Sequence, residues 1–277
     1  MKATQWSFRR VEKKYLLNME QYERLRVALR DYIEPDAYPK STICNVYYDT
    51  PDFRLIRHSL ERPVYKEKLR IRSYGPAKPG QKIFLEMKKK FDGVVYKRRI
   101  SLPLAQAEAF LAGEAALTGE DGVMEEASWG DRQIARELEY FRSFYGTLEP
   151  AVHLCYDRSA YFAKDDPDFR ITFDRNIRWE SENLTLTTEP AGARILPAGQ
   201  SIMEIKTAGA IPLQLARLIG RLRIPKASLS KYGKAYETML GDRSSRAWQH
   251  TMNIHTFPGG EGMVRDGGPA PVRRRNA

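Results

Sequence analysis

The sequence predicts an α+β domain whose antiparallel strands keep charge on one shared face and apolar side chains on the other. Three observations carry this. Residues 64–102 read as a three-strand meander, VYKEKLRIRSY, KIFLEMKKK and VVYKRRISL, broken by Gly75-Pro76, Pro79-Gly80 and Asp92-Gly93. Strand side chains alternate between faces, so period-two runs separated by turn residues signal an antiparallel sheet. Apolar residues at helical spacing flank the meander on both sides. The 277 residues carry a formal charge of +11, which predicts attraction to a polyanion without choosing among DNA, RNA, acidic lipid and condensed phosphate.

In chain order, FRRVEKKYLL (8–17) alternates as a strand. Asn18 caps a helix over 19–30, where Met19, Tyr22, Leu25 and Leu29 share a face. TICNVYY (42–48) is a strand that stops at the turn residues Asp49-Thr50-Pro51-Asp52, and a short helical piece follows from Phe53 to Ser59. After the meander, Pro103 opens a helix near 104–116. A Gly-rich acidic patch near 113–130 holds Glu120, Asp121, Glu125 and Glu126, which read as a solvated loop. A second helix covers 131–145, strands fall at 151–161, 168–174, 176–179 and 201–207, and helices at 210–221 and 231–240 close the domain. Residues 241–277 lack a periodic apolar face and read as a disordered basic tail ending in Arg273 to Arg275.

Several classes fall away. Cys44 and Cys155 sit in apolar runs and read as buried thiols, with a disulfide left open. The four histidines have no ligand spacing, so any metal would be a hard cation on carboxylates and phosphate oxygens. No signal-type apolar segment or membrane-length run is present, which makes the cytoplasm the expected location. Nucleic acid is not expected, because aromatic residues do not interleave with basic ones along the strands.

Parity then selects candidates. Lys66, Lys68, Arg70 and Arg72 share one side of their strand, as do Glu86, Lys88 and Lys90 on the next. Arg10, Glu12 and Lys14 line up in the first strand, Tyr156 and Arg158 in a later one, then Arg170, Thr172 and Asp174, and Glu204 with Lys206. In VVYKRRISL, Tyr96 and Arg98 oppose Val95, Lys97 and Arg99 with ambiguous parity; Arg98 is placed in the binding set, and Arg99 outside it or at the rim with Lys13 and Lys89. One wet strand face is ordinary in an antiparallel sheet. A dense basic face over five or more strands is costly unless an anion or interleaved acids such as Glu12, Glu86 and Glu204 compensate it.

The fragments RRVEKKYLL, NVYYDTPDF, YKEKLRIRSYG, IFLEMKKK, YDRSAY, MEIKT and SLSKYGKAY together resemble the catalytic domain of the vacuolar transporter chaperone family. That family is the polyphosphate polymerase branch of the CYTH-like triphosphate tunnel metalloenzymes. The resemblance covers residues 7–240 and implies an eight-stranded antiparallel β-barrel tunnel with a polar interior and flanking helices. It implies phosphate contacts at Lys14, Arg70, Arg72, Lys88, Tyr156, Arg158, Ser230 and Lys231, with catalytic weight on Arg70, Arg72, Lys88, Arg158 and Lys231. It implies a Mn²⁺ or Mg²⁺ ligand at Glu204, with Glu12 as a second. The expected partners are ATP and inorganic polyphosphate, and a membrane or regulatory partner outside this chain is left open. The hydrolase branch opens on Glu-x-Glu-x-Lys; here Arg10 replaces the first acid of Arg10-Val11-Glu12-Lys13-Lys14, which favours the polymerase branch. A metal-dependent triphosphatase and a non-catalytic polyphosphate-binding module are the alternatives.

Overall fold

A computed structural model describes residues 11–119, 122, 124 and 127–241. Arg10, the acidic residues at 120, 121, 125 and 126, and the tail from 242 onward lie outside the described residues. The strands are β1 (Val11–Leu17), β2 (Ile33–Asp49), β3 (Tyr65–Tyr74), β4 (Lys82–Phe91), β5 (Val94–Pro103), β6 (Glu149–Ala163), β7 (Asp166–Glu180), β8 (Ser201–Thr207) and β9 (Lys226–Ala227). The helices are α1 (Met19–Leu29), α2 (Arg54–Leu60), α3 (Leu104–Ala112), α4 (Trp129–Tyr145) and α5 (Leu213–Arg221), and residues 231–241 are also helical.

Local signals set the element ends. Asn18 and Gln21 form a reciprocal capping box at the start of α1. Asp92 and Gly93, at φ of 42° and 80°, make the β4–β5 turn, where left-handed backbone suits a two-residue hairpin. Helix α3 stops at Gly113 (φ 88°), earlier than the expected 116, because a residue without Cβ takes the left-handed cap.

The strands form one antiparallel sheet in the order β5-β4-β3-β2-β6-β7-β8-β1-β9. This corrects the expected closed eight-stranded barrel: the sheet has nine strands, and β5 and β9 do not pair. The sheet nevertheless curls. β4 and β1 stand six places apart in that order, roughly 30 Å in a flat sheet. Yet Lys88 of β4 lies 3.5 Å from Glu12 of β1.

The convex face is apolar and covered by helices. One cluster packs β2 to β5 against α3 and α4 through Val46, Leu69, Leu85, Ile100, Phe110 and Leu138. Another packs β1, β7 and β8 against α1 and α5 through Leu17, Leu25, Ile171, Phe173, Met203 and Leu215. Cys44 and Cys155, opposed across β2 and β6 on this convex face, are joined as a disulfide rather than left as thiols. A third cluster, including Ile43, Tyr156, Trp179, Tyr232 and Met239, packs α2 and the 231–241 helix against the concave side.

Candidate functional site

Register decides which side chains meet. Directly opposed residues in an antiparallel pair point the same way. The pairs Lys68↔Lys88, Arg70↔Glu86, Asn45↔Arg72 and Tyr47↔Arg70 therefore share the concave face. So do Lys88↔Lys97 and Glu86↔Arg99 from β5. On the other half, Arg158↔Asp174, Thr172↔Glu204, Arg170↔Lys206, Lys14↔Glu204 and Glu12↔Lys206 continue it. A bulge between β6 and β7, with Asn176 at φ 49°, lets Asp174 and then Ile177 and Trp179 face the same side.

The face is organised around three carboxylates. Glu86, 1% exposed, accepts from Arg70 Nε at 2.8 Å and Nη2 at 2.6 Å, and sits 2.6 Å from Lys97 Nζ. Arg72 and Arg99 stand 3.7 and 3.8 Å from it. Burial alone would raise Glu86, but Arg70, Arg72 and Lys97 overcome it and hold the carboxyl well below the usual range. Asp174, fully buried, accepts both Arg158 bonds at 2.7 and 2.8 Å and Lys231 at 2.6 Å. Its burial is likewise outweighed by Lys231 and Arg158, which lower its pKa. Glu204 lies 3.1 Å from Lys206 and is held below its ordinary range, because Lys206, Lys14 and Arg158 outweigh its burial.

Two lysines donate their hydrogen bonds to neutral groups. Lys68 donates to Ser230 Oγ at 2.7 Å, and Lys14 to the Leu229 carbonyl at 3.2 Å. Among the described residues neither forms an ion pair. Burial draws Lys68 down to about 8 and also lowers Lys14, against the opposing pull of Tyr47 on Lys68 and of Glu204 on Lys14, and with neighbouring cations adding to the effect. Lys97 is also drawn to about 8, first by burial and despite Glu86.

Most of the expected residues converge here: Glu12, Lys14, Lys68, Arg70, Arg72, Lys88, Tyr156, Arg158, Glu204, Lys206, Ser230 and Lys231. Lys66 and Lys90 share the face farther along the strands; Lys66 donates to the Ser59 carbonyl at 3.2 Å, and Lys90 is exposed. Arg170 is exposed and lies 3.5 Å from Asp36. Arg98 is a correction. It points to the convex side and donates to Glu137 of α4 at 3.0 and 3.1 Å, because Glu86 pairs with Arg99 and so fixes β5's parity. Lys97 and Arg99 take its place, and Arg99 is not outside the charged face.

Sequence reading missed the supporting shell. Tyr47 accepts from Arg70 Nη1 at 2.9 Å, and Asn45 accepts from Arg72 Nε at 2.8 Å. Their alternation against Cys44, Val46 and Tyr48 was the available signal. Asp49 accepts from the backbone N–H of Leu55 and Ile56 and from the Tyr232 hydroxyl, tying α2 to the helix that carries Lys231.

Glu204 and Glu12 offer hard oxygen donors suited to Mg²⁺ or Mn²⁺. Thr172 Oγ1, opposite Glu204 in the register, is buried with no hydrogen-bond partner among the described residues. An orphaned hydroxyl beside a buried carboxylate fits a cation that completes its shell with water and phosphate. The only described group of three His, Cys, Asp or Glu within ligand reach is Cys44, His153 and Cys155, on the convex face, with its sulfurs joined.

The VTC domain family model matches residues 9–240. The chain belongs to the VTC domain family. No curated protein sequence matches it. Among solved structures, this VTC domain is similar to a candidate adenylate cyclase from Bacillus halodurans at 14% identity and a TM-score of 0.47, covering 79% of this chain and 92% of the other. A candidate adenylate cyclase from Vibrio parahaemolyticus is similar at 14% identity and TM-score 0.42, over 84% and 99% of the two chains. The PH1819 protein from Pyrococcus horikoshii is similar at 14% identity and TM-score 0.38, over 83% and 99%. No helix among the described residues of the VTC domain is long and apolar enough to cross a membrane.

Proposed function

We propose that this VTC domain is a metal-dependent polyphosphate polymerase that transfers the terminal phosphoryl group of ATP to a growing polyphosphate chain. The observation that carries the reading is the excess of cations, most of them half-buried, on one concave face. Lys68 meets a hydroxyl and other cations, and Lys14, opposite Glu204, donates its hydrogen bond to a carbonyl; burial lowers the pKa of both. A condensed phosphate would supply the missing charge along the whole row.

Phosphoryl transfer asks the protein for position and electrostatic stabilisation more than for a covalent nucleophile. Arg70, Arg72 and Arg158 present guanidinium groups already oriented by buried acceptors, so they can grip phosphate oxygens with little reorganisation. Lys14, Lys68, Lys88 and Lys231 act as point charges. A terminal oxygen of the acceptor chain bonds to the γ-phosphorus while the bridging oxygen leaves with ADP. Glu204, with Glu12 and the Thr172 hydroxyl nearby, would hold Mg²⁺ or Mn²⁺; when bound, the ion neutralises charge on the phosphate oxygens.

Purified protein incubated with ATP and Mn²⁺ or Mg²⁺, followed by gel separation of phosphate polymers, tests the reading. Growing chains are expected. Consumption of tripolyphosphate to orthophosphate with no polymer under either metal would replace it with the triphosphatase.

A further inference from the structure

The charged face changes character at one end. Beyond Arg72 on β3 the next residue on the concave side is Tyr74, and beyond Glu86 on β4 it is Phe84. Their rings meet edge to face with centroids 6.0 Å apart. The Arg99 guanidinium lies over the Phe84 ring at 4.2 Å while staying 3.8 Å from Glu86. Tyr74 is 49% exposed. Lys82, Phe84, Arg99, Ser101 and Gln106 line, together with Asp131 of α4, an open concavity of about 590 Å³ along β5. At the other end of the same strands the concave residues are Lys66 and Lys90. The face therefore changes along its length: an aromatic–guanidinium pile with Lys82 beyond it at one end, and cations through the middle and at the other end.

We infer that Tyr74, Phe84 and Arg99 form the nucleoside subsite, which stacks the base of a nucleoside triphosphate and feeds its phosphates toward Arg72, Lys97 and Arg70. Rings and guanidinium planes stack bases without needing a specific hydrogen-bond pattern. Neighbouring same-face positions on a strand are about 7 Å apart, so a base on this pile has the Arg72–Glu86 cluster within one step. Reading strands singly hides the pile, because its three members come from β3, β4 and β5. The inference rests on the phosphate-binding reading above and names the end at which the nucleotide sits.

The test compares ATP with tripolyphosphate, which carries phosphates and no base, by calorimetric titration of the full chain with Mg²⁺. Tyr74→Ala removes a half-exposed ring, and Phe84→Leu keeps an apolar side chain where loss of bulk would disturb β4. Each is expected to weaken ATP about tenfold, or about 1.4 kcal/mol, the low end for one stacked base. Tripolyphosphate should stay within about twofold of wild type under both changes. Unchanged ATP affinity, or an equal loss for both ligands, overturns the subsite while leaving the phosphate site standing. If the wild-type chain binds neither ligand, the phosphate reading fails and takes the subsite with it.

Discussion

Asp174→Asn separates a poised anion site from an ordinary structural salt bridge. Asp174 is fully buried and is the only described carboxylate that hydrogen-bonds Arg158 or Lys231. The amide keeps the shape, removes the charge and turns one acceptor into a donor facing a cation. Deleting one partner of a buried, hydrogen-bonded charge pair costs about 3–5 kcal/mol. Arg158 and Lys231 retain 17% and 13% side-chain exposure, so water reaches them in part. That places the loss near the lower bound, about 3 kcal/mol, which lowers the melting midpoint by roughly 6–12 °C in a chain of this size. The freed cations are the ones proposed to hold phosphate. Tripolyphosphate at a hundredfold its Kd adds about 2.7 kcal/mol and should restore most of the midpoint. Differential scanning calorimetry with and without tripolyphosphate reads both quantities. A variant melting within about 2 °C of wild type, or one destabilised and unrescued by the anion, would refute the reasoning.

Three further predictions follow from the same geometry. Glu204→Gln should abolish metal-dependent turnover with the far-ultraviolet circular dichroism unchanged; undiminished turnover removes Glu204 from the metal site. Arg98→Ala should leave polyphosphate affinity within about twofold of wild type, because Arg98 points to the convex side and pairs with Glu137 there; Arg70→Ala in the same titration should weaken it strongly. Lys68 and Lys97 titrate near 8 in the fold against an ordinary 10.5. Between these values the folded chain binds fewer protons than the unfolded one, so ligand-free stability should rise with pH. Polyanion affinity should fall over the same window as both ammonium groups discharge, and a flat affinity from pH 7 to about 9.5 would contradict the assignment.

The charged face was legible wherever a strand alternated without interruption. VYKEKLRIRSY put Lys66, Lys68, Arg70 and Arg72 on one side, and the structure keeps them there. VVYKRRISL was not legible, since Tyr96 and Arg98 compete with Lys97 and Arg99 on charge and hydropathy alike. Only pairing with Glu86 settles that strand, and pairing is a tertiary fact. The long β2 was underestimated because its first half, 33–40, is mostly exposed and carries two prolines, so no apolar period marks it. The Asn176 bulge was hidden for a related reason: one extra residue changes the face without changing the composition. Carboxylate roles were the least readable, since Glu86, Asp174 and Glu204 look alike in sequence and differ only in which cations surround them.

The structure treats its arginines and lysines differently, which a final variant can probe. Each central arginine is locked by a buried acceptor: Arg70 by Glu86 and Tyr47, Arg72 by Asn45, Arg158 by Asp174. Arginine cannot relieve burial by losing its proton, so an unanchored guanidinium there would be expensive. Lys14 and Lys68 are left on a carbonyl and a hydroxyl, and they tolerate it because an amine can discharge. The arginines thus form a fixed frame, while the lysines are free to re-aim toward the phosphate chain proposed to pass them. Lys68→Arg places a cation that does not discharge where Ser230 Oγ and the Tyr232 ring face it and Lys14, Lys66 and Lys88 crowd it. The ligand-free protein should lose stability, and the fall in polyanion affinity between pH 7 and about 9 should become shallower than in wild type, with Lys97 still titrating. A variant with the wild-type pH profile would show that Lys68 does not meet the anion, and would move the phosphate path toward Arg72 and Arg158.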